Sequence, residues 1–216
     1  MSSDEVQAIL DRRKTQHRVV VKYVNGIGPV TEFQRSDTPG YDWIMRDKRM
    51  LWNDLRDADL MSRCPFGVPG DRLYRTCPPY DAEKVSWRSP MHMPKWTARL
   101  LLEVTDVRVQ RVREISIGDI DSEGYPYTPT ERTAHAIGPI GVNWFVTRWD
   151  TLNAKPKPVY RTIGGRLQID HYVSYPWQLD GGITEREYRN RKWLIYPNPW
   201  VWAITFKVAQ NATEPR

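Results

Sequence analysis

The sequence predicts an α+β fold: a small, strongly curved β-barrel with flanking helices and an insertion before its last strand. Three observations predict it. Residues 97–112 alternate apolar side chains over a length that usually forces a strand to bend, as strands do in small barrels. Residues 200–208 alternate again near the end of the chain. The order helix, strand, strand, bent strand, short helix, longer helix, final strand suits helices packed around one curved sheet.

Element by element, 3–16 reads as a helix, with Ser2 and Glu5 in a capping-box pattern and Val6, Ile9 and Leu10 as its apolar face. Arg12, Arg13 and Lys14 then fall in its last turn, where cations suit the negative end of the helix dipole. A strand follows over 18–24. Between 25 and 58, Gly26, Gly28, Pro29, Pro39 and Gly40 break the pattern, leaving a short strand near 30–33 and a helical piece around 43–55. Residues 64–71 carry turn chemistry, with Asp71 expected to cap backbone amides, and 72–75 form the strand after it. Cys77-Pro78-Pro79 ends that strand. In 97–112, Leu100, Leu102 and Val104 share a face, and Val107 and Val109 resume after Asp106. A short helix covers 116–122, with Ser116 at its start and Gly124 just past its end. Val142, Phe145, Trp149 and Leu152 fall at helical spacing in 141–153. Residues 155–198 read as a β-rich insertion or ordered flap. Within it, the mixed charges of 185–193 suggest a solvated helix face, with nucleic-acid contact as the alternative.

The net charge of +6 and a pI of about 9.3 favour polyanionic partners. Ten tryptophans and eleven tyrosines add rings that could stack on bases, although most are expected in the core. No apolar run reaches the ~20 residues of a membrane span, and no signal peptide is evident. Cys64 and Cys77 form no CxxC and have no histidine partners nearby, so no metal site is expected and two free thiols in a reducing cytoplasm are the default. His135 and His171 are isolated. The cluster His92-Met93-Pro94-Lys95-Trp96 with Arg99 reads two ways. Trp96 could be a stacking ledge with cations to hold a phosphate, or a core residue beneath solvated charges.

Several motifs together resemble a known family. Ile9-Leu10-Asp11-Arg12-Arg13-Lys14-Thr15 is similar to the signature of ASCH domains, within the PUA-like superfamily. The resemblance continues through Cys64-Pro65-Phe66-Gly67, Pro69-Gly70-Asp71-Arg72-Leu73 and Met93-Pro94-Lys95-Trp96-Thr97-Ala98-Arg99. It extends over Leu102-Glu103-Val104-Thr105-Asp106-Val107, residues 115–124, Trp149-Asp150-Thr151-Leu152-Asn153-Ala154-Lys155 and Asn198-Pro199-Trp200-Val201-Trp202. The set is most like the ASCH proteins of bacteriophages and prophages. It implies a single PUA-like domain over 1–216, with family-atypical segments at about 25–60 and 156–197, and a cleft proposed to bind RNA or a nucleobase.

One branch of the family is similar to a bacterial N-acetylcytidine amidohydrolase that uses a lysine, a threonine and a glutamate. The resemblance carries the lysine onto Lys14 and the glutamate onto Glu123, while the threonine position holds His17; Thr15 belongs to a neighbouring position. In that scheme Lys14, its proton loosened by Arg13 and Arg18, is the base and Glu123 shuttles a proton to the leaving amine. His17 either activates water or stacks on, or hydrogen-bonds to, a base. Arg18 or Arg99 would steady an oxyanion or phosphate. The expected function is nucleobase or nucleic-acid recognition, with hydrolysis of an acylated or modified pyrimidine nucleoside. Arg13, Thr15, Arg18, His92, Lys95, Trp96 and Arg99 are the expected binding residues. The partners are RNA, DNA or a modified nucleoside, without a metal, organic cofactor or membrane. The alternatives are a non-catalytic RNA- or DNA-binding module, a nuclease using Lys14 and His17, and a phage accessory protein whose insertion binds a host protein.

Overall fold

The computed structural model describes residues 3–76, 98–126, 134–178 and 181–211. The fold is α+β and mostly strand. The chain divides into two compact units: Met1–His17 with Tyr23–Arg108 and Ala203–Arg216, and Arg18–Lys22 with Val109–Trp202.

In the first unit, helix α1 (Ser3–Leu10) ends six residues short of the expected 16. The cause is a Schellman closure. The Arg13 N–H donates to the Ala8 carbonyl at 2.8 Å and the Arg12 N–H to that of Ile9 at 2.9 Å, while Arg12 takes a left-handed φ of 57°. The cations therefore follow the helix, and its last turn holds none. Val6 and Ile9 join Leu73, Leu100, Leu102, Phe206 and Val208 in a core cluster. Leu10 is exposed, and Glu5 and Ala8 fill the buried face instead. Ser2 lies outside the described residues.

The expected strand over 18–24 is two pieces, β1 (Gln16–Val20) and β2 (Tyr23–Val24). Strand β3 (Gly28–Arg35) extends the expected short strand. The helix expected over 43–55 is a hairpin of β4 (Trp43–Asp47) and β5 (Trp52–Leu55), pairing Trp43 with Leu55 and Met45 with Asn53. Here period-two burial of Trp43 and Met45 prevails over helical spacing. The Asp47 carboxylate fixes the turn by accepting from the N–H groups of Arg49 at 2.8 Å and Leu51 at 2.9 Å. The four strands form a sheet of order β2-β3-β4-β5, and the helix of this region is α2 (Asp57–Ser62). The turn at 64–71 forms as expected, with Asp71 Oδ2 accepting from the Val68 N–H at 2.9 Å. A Cβ on Gly67, whose φ is +101°, would come 3.0 Å from that of Asp71, which explains the glycine.

Strand β6 (Arg72–Thr76) pairs antiparallel with β7 (Ala98–Arg111). Leu100, Leu102 and Val104 are buried as expected. Burial then changes parity to Val107 and Val109, across exposed Thr105 and Asp106. Strand β12 (Trp200–Asn211) completes the sheet order β1-β12-β7-β6. Alternation was expected along it, yet Val201, Trp202, Ala203 and Ile204 are all buried, because this inner strand is covered on both faces there. The end of β6 at Cys77 lies outside the described residues.

In the second unit, α3 (Ile117–Ser122) follows the expected pattern. Ser116 Oγ accepts from the Asp119 N–H at 3.1 Å, and Gly124, at φ 91°, follows the helix end. Helix α4 (Ala134–Asn153) begins earlier than the expected 141 and breaks at Gly138, before Pro139. Phe145 and Trp149 enter a core with Val20, Val112, Ile120 and Val201, whereas Val142 and Leu152 are exposed. The insertion is β-rich, as expected: β8 (Lys157–Ile163), β9 (Arg166–Ser174), β10 (Thr184–Tyr188) and β11 (Arg191–Ile195), in the order β10-β11-β9-β8. The helix face expected at 185–193 is the β10–β11 hairpin. Arg189 and Asn190 take φ of 53° and 58°, the left-handed pair that a two-residue hairpin turn requires. The opposite charges meet across strands, as in the 2.5 Å pair of Lys192 with Glu185.

Candidate functional site

The first unit holds a depression of about 250 Å³ lined by Ile9, Arg12, Lys14, Thr15, Phe206, Lys207 and Val208. The closure of α1 builds one wall: the Lys14 N–H donates to the Ala8 carbonyl at 2.9 Å, and the Thr15 carbonyl accepts from the Phe206 N–H at 2.8 Å. These two bonds tie the segment after the helix to α1 on one side and β12 on the other. Lys14 is 2 % exposed, an unusual burial for a lysine. Arg12 and Lys207 are exposed, and Lys207 pairs with Glu103 at 2.8 Å. The floor is apolar and the rim cationic. At this volume the depression suits something smaller than a drug-sized ligand, which takes about 300 Å³ or more.

Arg13 does not line the depression; it forms a surface pair with Asp11 at 3.1 Å. The hydrogen bonds from Gln7 and Arg13 hold the Asp11 carboxyl below its ordinary range. His17 is half-buried on β1. His92, Lys95 and Trp96 lie outside the described residues, as does the side chain of Arg99, whose backbone belongs to β7.

The second unit holds Arg18 and Glu123. The Arg18 guanidinium, with its side chain 1 % exposed, donates from Nη1 to Glu123 Oε1 at 3.0 Å and places Nη2 3.0 Å from Asp119 Oδ2. Asp119 and Glu123 stand four residues apart on and just past α3, on one helical face, so a single guanidinium reaches both. Asp119 was not anticipated, although its i, i+4 relation to Glu123 is legible in the sequence. Lys207 was missed as well; the outward positions of an alternating strand would have pointed to it. Arg18 is thereby engaged with two carboxylates, and Glu123 is buried and oriented.

His171 Nδ1 lies 2.9 Å from Asp170 Oδ2 on β9. Cys64 is buried with a free thiol, and burial pushes its pKa up, so it is not poised as a nucleophile. Among the described residues no three acidic, histidine or cysteine side chains gather to hold a metal. Among them, too, no helix is long and apolar enough to cross a membrane. Comparison with protein-family models, curated proteins and solved structures gives no match.

Proposed function

We propose that the chain is an ASCH-type protein with a PUA-like barrel that recognises a nucleobase or nucleic acid at the Lys14 depression. The observation that carries this reading is a buried lysine set beside an apolar floor, Ile9, Phe206 and Val208, with Arg12 and Lys207 at the rim. A base is flat and weakly polar and its phosphate is anionic, so floor and rim each match one part of a nucleotide. The ordered motifs from Ile9 to Trp202 support the same reading. Hydrolysis of a modified pyrimidine nucleoside is the second reading. The burial and orientation of Glu123 by Arg18 favour it, since a proton-shuttling carboxylate needs a fixed position. In that reading Glu123 takes the role of the family's glutamate.

The test is incubation of the pure protein with N-acetylcytidine and a panel of modified nucleosides, followed by mass spectrometry. Equilibrium binding of the same compounds is measured in parallel. Lys14→Met is expected to weaken binding about tenfold or more, the scale of one lost charge-assisted hydrogen bond. Turnover lost in both Lys14→Met and Glu123→Gln establishes the hydrolase; binding without turnover leaves a reader. Unchanged binding by Lys14→Met removes the depression from the reading.

A further inference from the structure

The β8–β9 hairpin extends further beyond its neighbouring strand than the β10–β11 hairpin does, by four residue pairs from Tyr160↔Ile169 to Ile163↔Arg166 against two from Glu187↔Lys192 to Tyr188↔Arg191. Strand β9 pairs with β11 only through Tyr172, Val173 and Ser174. Beyond that point, from Tyr160↔Ile169 to Ile163↔Arg166, β8 and β9 pair with each other alone. Every residue from Tyr160 to Gln168 is exposed. Gly164 and Gly165 close the tip with φ of 58° and 76°, a two-residue hairpin turn. A two-stranded ribbon with both faces in water is marginal by itself, so its side chains need another reason to be there.

Their pattern supplies one. Cross-strand register puts Tyr160 with Ile169 and Thr162 with Leu167 on one face, and Arg161 with Gln168 and Ile163 with Arg166 on the other. Tyr160 is 54 % exposed and Leu167 69 %. From Lys155 to Ile169 the chain carries Lys155, Lys157, Arg161 and Arg166 and no acidic residue. The neighbouring β10–β11 hairpin is also net basic, but it carries Glu185 and Glu187 among its cations and pairs Lys192 with Glu185 across strands. The ribbon has uncompensated charge of one sign, and among the described residues neither of its arginines has an ion pair.

We infer that this ribbon is an arm that lies in the major groove of duplex DNA. The three intervals from Tyr160 to Ile163 span about 10 Å at the rise of an antiparallel strand, and the strands stand about 4.8 Å apart. A B-form major groove, about 12 Å wide and 8.5 Å deep, admits such a ribbon. The Tyr160, Thr162 and Leu167 face meets the groove floor, where thymine methyls offer apolar contact. Arg161 and Arg166 extend to the phosphate walls, with Lys155 and Lys157 at the root of the arm. The deep, narrow major groove of A-form RNA does not admit it. A second copy of this chain is a poor occupant, because three or four side chains fall far short of the roughly 20–30 residues per partner of a stable interface. The inference stands apart from the Lys14 depression: nucleoside binding can fail while the arm still binds, and the reverse.

The test is fluorescence anisotropy of a short labelled DNA duplex against the full chain over a range of salt, with an A-form RNA duplex of the same sequence beside it. Arg161→Ser with Arg166→Ser is expected to weaken DNA binding at least tenfold and to flatten the salt slope by about two, one for each lost phosphate contact. Leu167→Ser is expected to weaken binding without changing the slope. All three positions are exposed, and circular dichroism checks that the fold is kept. DNA affinity and slope unchanged in the double variant overturn the inference. So does RNA bound as tightly as DNA through the same arginines, or a dimer in sedimentation that Leu167→Ser dissolves.

Discussion

Arg18 shows how a single side chain can organise a polar interior. Its guanidinium lies 3.0 Å from Glu123 and 3.0 Å from Asp119, almost without solvent. Replacing one partner of a buried pair leaves the other charge uncompensated, which costs about 3–5 kcal/mol. Arg18→Leu is therefore expected to lower the urea unfolding free energy by that amount, and a loss below about 1 kcal/mol would mean that the pair is worth no more than a surface one. The sequence made Arg18 visible as a cation entering the apolar run Val19-Val20-Val21. It did not reveal the partner, because Glu123 is 105 residues away and such pairing depends on the tertiary fold. Lys14 was legible in the same way, from its motif, and Ile9 from the apolar face of α1, whereas the gathering of Phe206, Lys207 and Val208 beside them was not. Lys207, Phe206 and Val208 come from β12, which reaches Lys14 through the hydrogen bond from the Phe206 N–H to the Thr15 carbonyl and through its pairing with β1 just beyond.

The elements were legible where local chemistry alone decides them. Ser116 and Gly124 bracket α3 as their cap and stop roles require, and the alternation of Leu100, Leu102 and Val104 marks β7. Elements were misread where sparse turn signals had to compete with ambiguous spacing. Asp47 and Met50 turn a helix-like stretch into the β4–β5 hairpin, and Arg189-Asn190 does the same for β10–β11, in each case without a glycine at the turn. The end of α1 belongs with these. Arg12 occupies the left-handed closing position that glycine fills at least cost, so Arg12→Gly is expected to stabilise the chain by about 0.5–1 kcal/mol. A rise in the chemical unfolding midpoint at unchanged denaturant slope would establish it, and a fall would show that the Arg12 side chain contributes more than the backbone strain removes.

At the scale of the molecule, the charge of +6 makes ionic strength the variable that separates two modes of binding. An uncharged nucleoside in the Lys14 depression displaces few counterions, so its affinity should change little with salt. A duplex held through four phosphate contacts, by Lys155, Lys157, Arg161 and Arg166, should follow a log–log slope of about −3.6. Between 50 and 200 mM salt that slope predicts a loss of about 150-fold. The two titrations, run on the same preparation, are expected to diverge by that factor. Nucleoside binding that falls as steeply as duplex binding would place the nucleoside on the surface cations rather than against Ile9 and Phe206. Duplex binding that ignores salt would leave the positive charge without a part in recognition. A shallow slope for one ligand and a steep slope for the other is the pattern required by an apolar floor in one unit and an uncompensated cationic ribbon in the other.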